Sequence, residues 1–413
     1  MLKHATKSYT NTLGTIMRNT LNILILLLTF SVQGQISESW NLDIDTYTHN
    51  SSNYASKNPP IEIAQFSNND KVILSQNGTL VKIDSKGETI WRKEISTCAR
   101  QRIIVDLKDN IIFSCGSEIT KFDLNGKMVW NNDYASSFSK EYMTFDAITF
   151  DQDKIYLAGH FFYSKYICQL AIDNDGTVLW KKSYRQNVNF EFDFLPPKQI
   201  IVHNESIYIL AHEYYSSSKS VLYSSNLNGK KRKKTWINHK LKKLKSNKEF
   251  LFAVGQFDNK NEKLIVIKFN NDIEIIDKLE FSLPRKIEHN KSLRGYSSKP
   301  TKKDLEKKYF TTYKVNDFEF LNDKSLLVVG DSSKRPWIAK LDLKKGIIWN
   351  YDNNDKRYYK YNNEFTMHSY SLFSVDTVKD KYLISGISQE QDDHEEMFIR
   401  YINLFVREIE LEK

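Results

Sequence analysis

A chain of 413 residues, 40% hydrophobic and 27% charged, has the make-up of a globular protein. Its length suits two or three ordinary domains or one large one, and three cysteines are too few for a disulfide framework. The formal charge of +9 is modest for this length and does not by itself specify an anionic partner.

The chain opens on a targeting segment. Lys3, Lys7 and Arg18 precede an apolar run from Leu21 to Val32, which exits at Gln33-Gly34. The run is too short to span a bilayer comfortably, and its basic flank and small-residue exit match a secretory signal. Residues 1–34 are therefore expected to be a signal peptide, with either Met1 or Met17 as the start. No cysteine stands near the exit, so no lipid anchor is expected, and the mature chain should carry no transmembrane span. Cleavage removes three basic and no acidic residues, which lowers +9 to +6. The expected destination is secreted or periplasmic, in a bacterial cell envelope setting that the Lys-, Asn- and Ile-rich composition fits.

Residues 35–60 form an N-terminal strand or linker. Within it Trp40-Asn41-Leu42-Asp43-Ile44 alternates like an outer strand. From residue 61 to 413 one unit recurs: a short apolar strand ending in Asp or Asn, at Asp84, Asp123, Asp173, Asn226, Asn270, Asp342 and Asn403. In the first three copies a Gly follows at the fourth position and a Trp four residues later, as Asp84-Gly87-Trp91, Asp123-Gly126-Trp130 and Asp173-Gly176-Trp180. Asp first and Gly fourth mark a tight turn whose glycine takes a positive φ.

Upstream of each Asp lies another strand of β-branched and aromatic residues, such as Ile111-Ile112-Phe113 or Ile155-Tyr156-Leu157, and before it a weaker third candidate. About four strands per unit is the blade of a β-propeller. The predicted fold is all-β, a propeller of seven four-stranded blades, with six or eight as alternative counts. The Trp40 segment would close the ring as the outer strand of the last blade; alternatively Val406 to Leu411 is that strand and the Trp40 segment packs outside. Later copies decay: Trp236 follows Gly229 at seven residues, and both Gly and Trp are missing after Asn270 and Asn403.

The strand–Asp-x-x-Gly-x-x-x-Trp pattern resembles the PQQ-like β-propeller repeat found in outer-membrane assembly propeller lipoproteins and in quinoprotein dehydrogenases. The resemblance spans roughly residues 61–413 and is carried by the three clean copies. It implies that Trp91, Trp130 and Trp180 pack between neighbouring blades. The chain departs from the dehydrogenases, which resemble eight-bladed rings with an adjacent-cysteine pair over the cofactor. With no such pair here, no cofactor is expected. Cys98 and Cys115 could meet in the second blade, but buried or idle thiols are the expectation for all three cysteines, Cys168 included, and none has zinc-ligand spacing.

In a blade of antiparallel strands, the loop between second and third strands opens on the same face as the link to the next blade. On that face the third to sixth blades read Gly159-His160-Phe161, Ala211-His212-Glu213-Tyr214, Gly255-Gln256 and Gly330-Asp331. His160, His212, Gln256 and Asp331 would form a polar arc, with Phe161 and Tyr214 as an aromatic rim suited to a sugar ring or a peptide. The alternative is that the histidines satisfy backbone groups and the aromatics shield strand ends. A metal would need a third ligand, which is not visible, so none is expected.

Two long links, 285–313 and 351–370, mix Tyr with Lys, Arg and Asn. Tyr309, Phe310, Arg357, Tyr358 and Tyr359 are the expected partner contacts. The basic run Lys230-Lys231-Arg232-Lys233-Lys234, with Lys240, Lys242, Lys243 and Lys245 after it, reads as a solvated tip on the opposite face, and nucleic acid is not an expected partner. The favoured function is an exported scaffold that binds an envelope or extracellular protein or glycan without catalysis. The alternative is a secreted propeller hydrolase or lyase, which needs converging carboxylates that no repeat displays.

Overall fold

The structure is a computed structural model. It describes residues 36–49, 62–75, 78–96, 98, 101–138, 143–161, 166–185, 196–212, 219–256, 263–283, 287–289, 308–310, 313–332, 335–352, 360–361, 364–365, 367–378, 381–392 and 399–411. These residues form seven four-stranded antiparallel sheets and two short two-stranded ribbons. Blades 1 to 6 span 62–94, 101–133, 143–185, 197–237, 240–282 and 313–352, each with its strands in sequence order. The molecule is a β-propeller.

Blade 7 is assembled from both ends of the chain. Met367–Val378, Lys381–Asp392 and Ile399–Leu411 are its first three strands, and Ile36–His49 lies outermost. Ile36 sits opposite Leu411 and His49 opposite Arg400. Of the two closures open in the sequence, the structure has the N-terminal strand on the outside.

The core lies between blades. Val72, Leu74 and Leu80 of blade 1 meet Ile103, Ile111 and Phe113 of blade 2. Ile112 and Ile119, on the other face of blade 2, meet Phe145, Leu157 and Leu170 of blade 3. The pattern continues through Tyr156 against Ile207 and Ile209, and through Leu210 and Leu222 against Leu251 and Ile265. It reaches blade 6 where Val254 and Val266 pack on Phe318, Val328 and Trp337. A second strand is thus covered on both faces, which is why it reads as an unbroken apolar run rather than an alternation. Each such Leu or Ile contributes about 1.5–3 kcal/mol by leaving water. The fourth strands form the outer edge and alternate between exposed and half-buried positions.

The repeated Asp is a turn-former. In blade 3 the Asp173 Oδ1 accepts hydrogen bonds from the Asp175 and Thr177 N–H groups at 3.0 and 2.8 Å. Asp84, Asp123, Asn226 and Asn270 hold their turns through the same pair of bonds. Gly176 closes the turn at φ +85°, where a side chain would meet both strain and the indole of Trp130. The fifth copy lacks the glycine, and the buried Ile273 takes the positive φ (59°) in its place.

Each tryptophan of a clean copy reaches the turn of the next blade. The indole N–H of Trp91 donates to the Leu124 carbonyl at 3.3 Å, that of Trp130 to Asn174 at 3.2 Å, and that of Trp180 to Leu227 at 2.8 Å. The fourth copy differs. Trp180 stands opposite Ala171, two residues before Asp173; in blade 4 the equivalent register belongs to Lys233, opposite Ser224. Lys233 bridges to Asp272 in the turn of blade 5 at 2.7 Å, while Trp236 is left 40% exposed.

Asn403 does not end a strand. It lies inside Ile399–Leu411, paired to Ser388 and Asp45. The fourth strand of blade 7 arrives from the N-terminus, so no hairpin exists there to need an Asp-x-x-Gly turn. Cys98 and Cys115 are joined as a disulfide, contrary to the expectation of idle thiols, with Cα atoms 5.6 Å apart. Cys168 is buried in blade 3. Among the described residues no helix is long and apolar enough to cross a membrane.

Candidate ligand-binding face

The strand order places the tight Asp turns on one face of the ring and the second-to-third-strand loops with the blade links on the other. On this second face the innermost strands of blades 3 to 7 each carry a β-bulge. The extra residues are Asp146, Lys198, Lys242, Asn316 and Phe373. A bulge re-aims side chains at the end of a strand. Opposite each bulge in blades 3, 5 and 6 lies a glycine in close contact: a Cβ on Gly330 would collide with the Lys314 carbonyl, and Gly159 and Gly255 occupy the same register. The next residue is the polar one singled out in the sequence. His160 faces Thr144, Gln256 faces Lys240 and Asp331 faces Lys314.

Equivalent positions do not give equivalent chemistry. His160 is buried, and its Nδ1 lies 2.6 Å from the Asp146 carboxylate, also buried. Gln256 is committed to the neighbouring blade: its Nε2 donates to the Tyr313 carbonyl at 2.7 Å, and its Oε1 accepts from the Val315 N–H at 3.1 Å. Phe161 does not stand on an open rim, since it is 3% exposed and meets Phe138 edge-on in the core between blades 2 and 3. All three make contacts within the scaffold, His160 through a side-chain carboxylate rather than the backbone groups that the plainer reading gave the histidines. Tyr214, Arg357, Tyr358 and Tyr359 lie outside the described residues. Tyr309 and Phe310 belong to a ribbon in which Lys308–Phe310 pairs antiparallel with Ile287–His289.

His212 is different. It is 7% exposed, its ring hydrogen-bonds the Leu241 backbone, and its Nε2 has no hydrogen-bond partner among the described residues. Burial, and after it the ammonium groups of Lys198, Lys242 and Lys240, push its pKa down to about 3. The imidazole is therefore neutral across the physiological range. Lys242 is partly buried, and burial together with Lys240, Lys314 and Lys198 brings it down to about 8, against the opposing pull of Asp331.

These lysines overturn one expectation. Lys230 to Lys234 do sit on the Asp-turn face, exposed, with the Arg232 guanidinium 4.1 Å from the centre of the Tyr184 ring. Lys240, Lys242, Lys243 and Lys245 do not share that tip, because they occupy the innermost strand of blade 5, Lys240–Ser246. The strand splits into two levels. Deeper along it, Lys243 lies 3.3 Å from Asp317, and Lys245 lies 2.6 Å from Glu319 and donates to the Val375 carbonyl. At the loop-face end, Lys240 and Lys242 are joined instead by Lys198 and Lys314 from the adjoining blades.

The sequence signal for this group was the alternation Lys240-Leu241-Lys242, that of a strand with one buried face. Lys198 and Lys314 carried no signal of their own. Among the described residues no three His, Cys, Asp or Glu side chains are grouped to hold a metal ion.

No protein-family model matches the chain, and no curated protein matches it by sequence. Solved structures do. The chain is similar in structure to BamB from Moraxella catarrhalis, at 12% identity over 90% of this chain and 100% of that one, with a TM-score of 0.47. Others are the Dos1 propeller, at 10% identity over 85% of this chain and 78% of that one with TM-score 0.48, and the C-terminal WD40 domain of Sif2, at 7% identity over 92% and 99% with TM-score 0.48.

Proposed function

We propose that this chain is an exported propeller of the PQQ-like repeat type that acts as a scaffold, binding a protein partner of the cell envelope or extracellular space through its loop-rich face. The observation that carries the reading is the asymmetry of the two faces. On one, blades 1 to 5 turn from third to fourth strand in the same tight, side-chain-capped bend. On the other, the strands are linked by long, unlike segments, 30 residues from 283 to 312 and 14 from 353 to 366. A rigid ring that presents varied loops on one side is the arrangement of a binding protein.

Two features support export. The Cys98–Cys115 pair suits an oxidising compartment. The outermost strand begins at Ile36, just beyond the expected cleavage point near Gly34, so removal of residues 1–34 leaves blade 7 whole. Two of the four polar groups singled out beside the second-to-third-strand loops, His160 and Gln256, are spent on structural bonds, which favours a surface over an enclosed catalytic pocket.

The test is affinity capture from envelope extracts with the mature chain and with a variant whose 285–313 link is cut to a short Gly-Ser turn. One partner retained by the first and lost by the second supports the reading. Turnover of a glycan or peptide that disappears on replacing Asp331 or His212 would overturn it in favour of an enzyme.

A further inference from the structure

We infer that the outer seam between blades 3 and 4 binds an acidic polysaccharide, with Trp236 as the stacking platform and Arg232 and Lys234 as the cations beside it. The first ground is the register of blade 4. Lys233, opposite Ser224, takes the place that Trp180 holds in blade 3, and Trp236 stands three residues further on, opposite Val221. At that further position blades 1, 2, 3, 5 and 6 carry Glu94, Asp133, Ser183, Glu280 and Asp352. Of these six blades, only the fourth sets a large apolar ring there, and it is 40% exposed. An indole shown to water where its counterparts are acids or serine has the mark of a contact residue.

The second ground is what shares the seam with it. Side chains alternate along a strand. Lys233 and Thr235 turn toward blade 5, where they bond Asp272 and the Ile273 carbonyl at 2.7 and 2.8 Å. Arg232, Lys234 and Trp236 turn toward blade 3, and the Arg232 guanidinium lies 4.1 Å from the centre of the Tyr184 ring. Tyr184 in turn packs on the cluster that contains Val221, the cross-strand neighbour of Trp236. On the blade 3 side, the stem of Lys182 lies against Gly229. One exposed indole, one ring-stacked guanidinium and two ammonium groups therefore line a single seam.

The class of ligand follows from this pairing of a flat ring with planar and point charges. A sugar ring packs its C–H face on an indole. A guanidinium stacked on a tyrosine is held with its N–H fork in one plane, which matches a carboxylate. A uronic acid unit carries ring and carboxylate together, whereas an acidic peptide supplies the carboxylate without the ring. An oxidising compartment, which the Cys98–Cys115 disulfide suits, favours a glycan over nucleic acid. That last choice rests on the export reading; the seam itself does not.

The experiment measures fluorescence anisotropy of a labelled galacturonic acid oligomer against the mature full-length chain in physiological salt. Saturable binding is expected, weakened about tenfold in Trp236→Ala and about tenfold in Arg232→Gln/Lys234→Gln, with part of the loss regained in Trp236→Phe. All three side chains are exposed, so these variants should fold as the parent does. Lys344→Gln/Lys345→Gln removes the same charge from the exposed turn of blade 6 and should leave binding unchanged. A chain whose 285–313 link is shortened should also bind as the parent does, which separates this site from the loop-rich face. No saturable binding by the parent, equal weakening in the blade 6 control, or binding indifferent to Trp236→Ala would overturn the assignment. So would a preference for polyglutamate or single-stranded DNA over the uronic acid oligomer.

Discussion

Trp180 shows how one side chain can hold two blades. Its indole donates to Leu227 at 2.8 Å and covers Gly229 in the turn of the next blade. Trp180→Phe keeps most of the apolar contact and loses the hydrogen bond, so urea unfolding should register a loss of about 1 kcal/mol. Trp180→Ala also strips the half-buried ring from the next blade's turn and should cost more, about 2–3 kcal/mol. Gly176→Ala places a Cβ at φ +85° against Asn132 and Trp130, and should cost about 1–3 kcal/mol in the same assay.

Two titratable groups at the loop-face end act in different pH windows. His212 has its pKa near 3 in the folded state against 6.5 when unfolded. Between these values the unfolded chain binds the extra proton, so stability falls as pH drops from about 6.5 toward 3. His203 and His239 are also lowered by burial and act with the same sign. His212→Gln should therefore flatten the acid limb of a Tm-against-pH curve in part, and an unchanged limb would show that the ring is not held neutral. Lys242, near 8 when folded against 10.5 when unfolded, has the same sign at higher pH, so stability should rise as pH climbs from about 8 toward 10.5. Lys240, Lys314, Lys198 and Asp331 are the charges that act on it.

At the scale of strands and turns, the sequence was most readable where bonding is local. Asp173 bonds its own turn two and four residues on, and Gly176 closes it, so the hairpin is written within a few residues. Ring closure depends on a partner strand more than 350 residues away, Ile36–His49 against Ile399–Leu411, and alternation in either segment could not choose between them. The missing Gly and Trp after Asn403 looked like decay of the repeat. It is instead the mark of a blade that has no third-to-fourth-strand hairpin. The closing strand supplies a direct expectation: a chain beginning at residue 35 should unfold at the same urea midpoint as a longer one, whereas one beginning at residue 50 should lose cooperative unfolding of blade 7, visible as early hydrogen exchange across 367–411.

The candidate site was legible only in part. Gly–His, Gly–Gln and Gly–Asp at strand ends located the register correctly, because close backbone packing demands the small residue there. The fate of each polar group depends on what the next blade brings. Asp146 reaches His160, and the Tyr313 and Val315 backbone reaches Gln256, so two members of the expected arc are consumed by the scaffold. The loop-face lysines were hidden for a related reason. The run from Lys230 to Lys245 is basic throughout, and only the strand boundary at Lys240 sends its two halves to opposite faces.

Taken as a whole, the molecule is a ring whose blades are joined by apolar faces and whose two ends differ in kind. Photo-crosslinking from matched positions on the two faces tests that asymmetry most directly. A benzophenone residue placed at Tyr309, and in a second variant at Lys314, should trap the same envelope partner in living cells, while one at Lys231 should trap none. Adducts to that partner from Lys231 as well, or from Lys231 alone, would contradict the account.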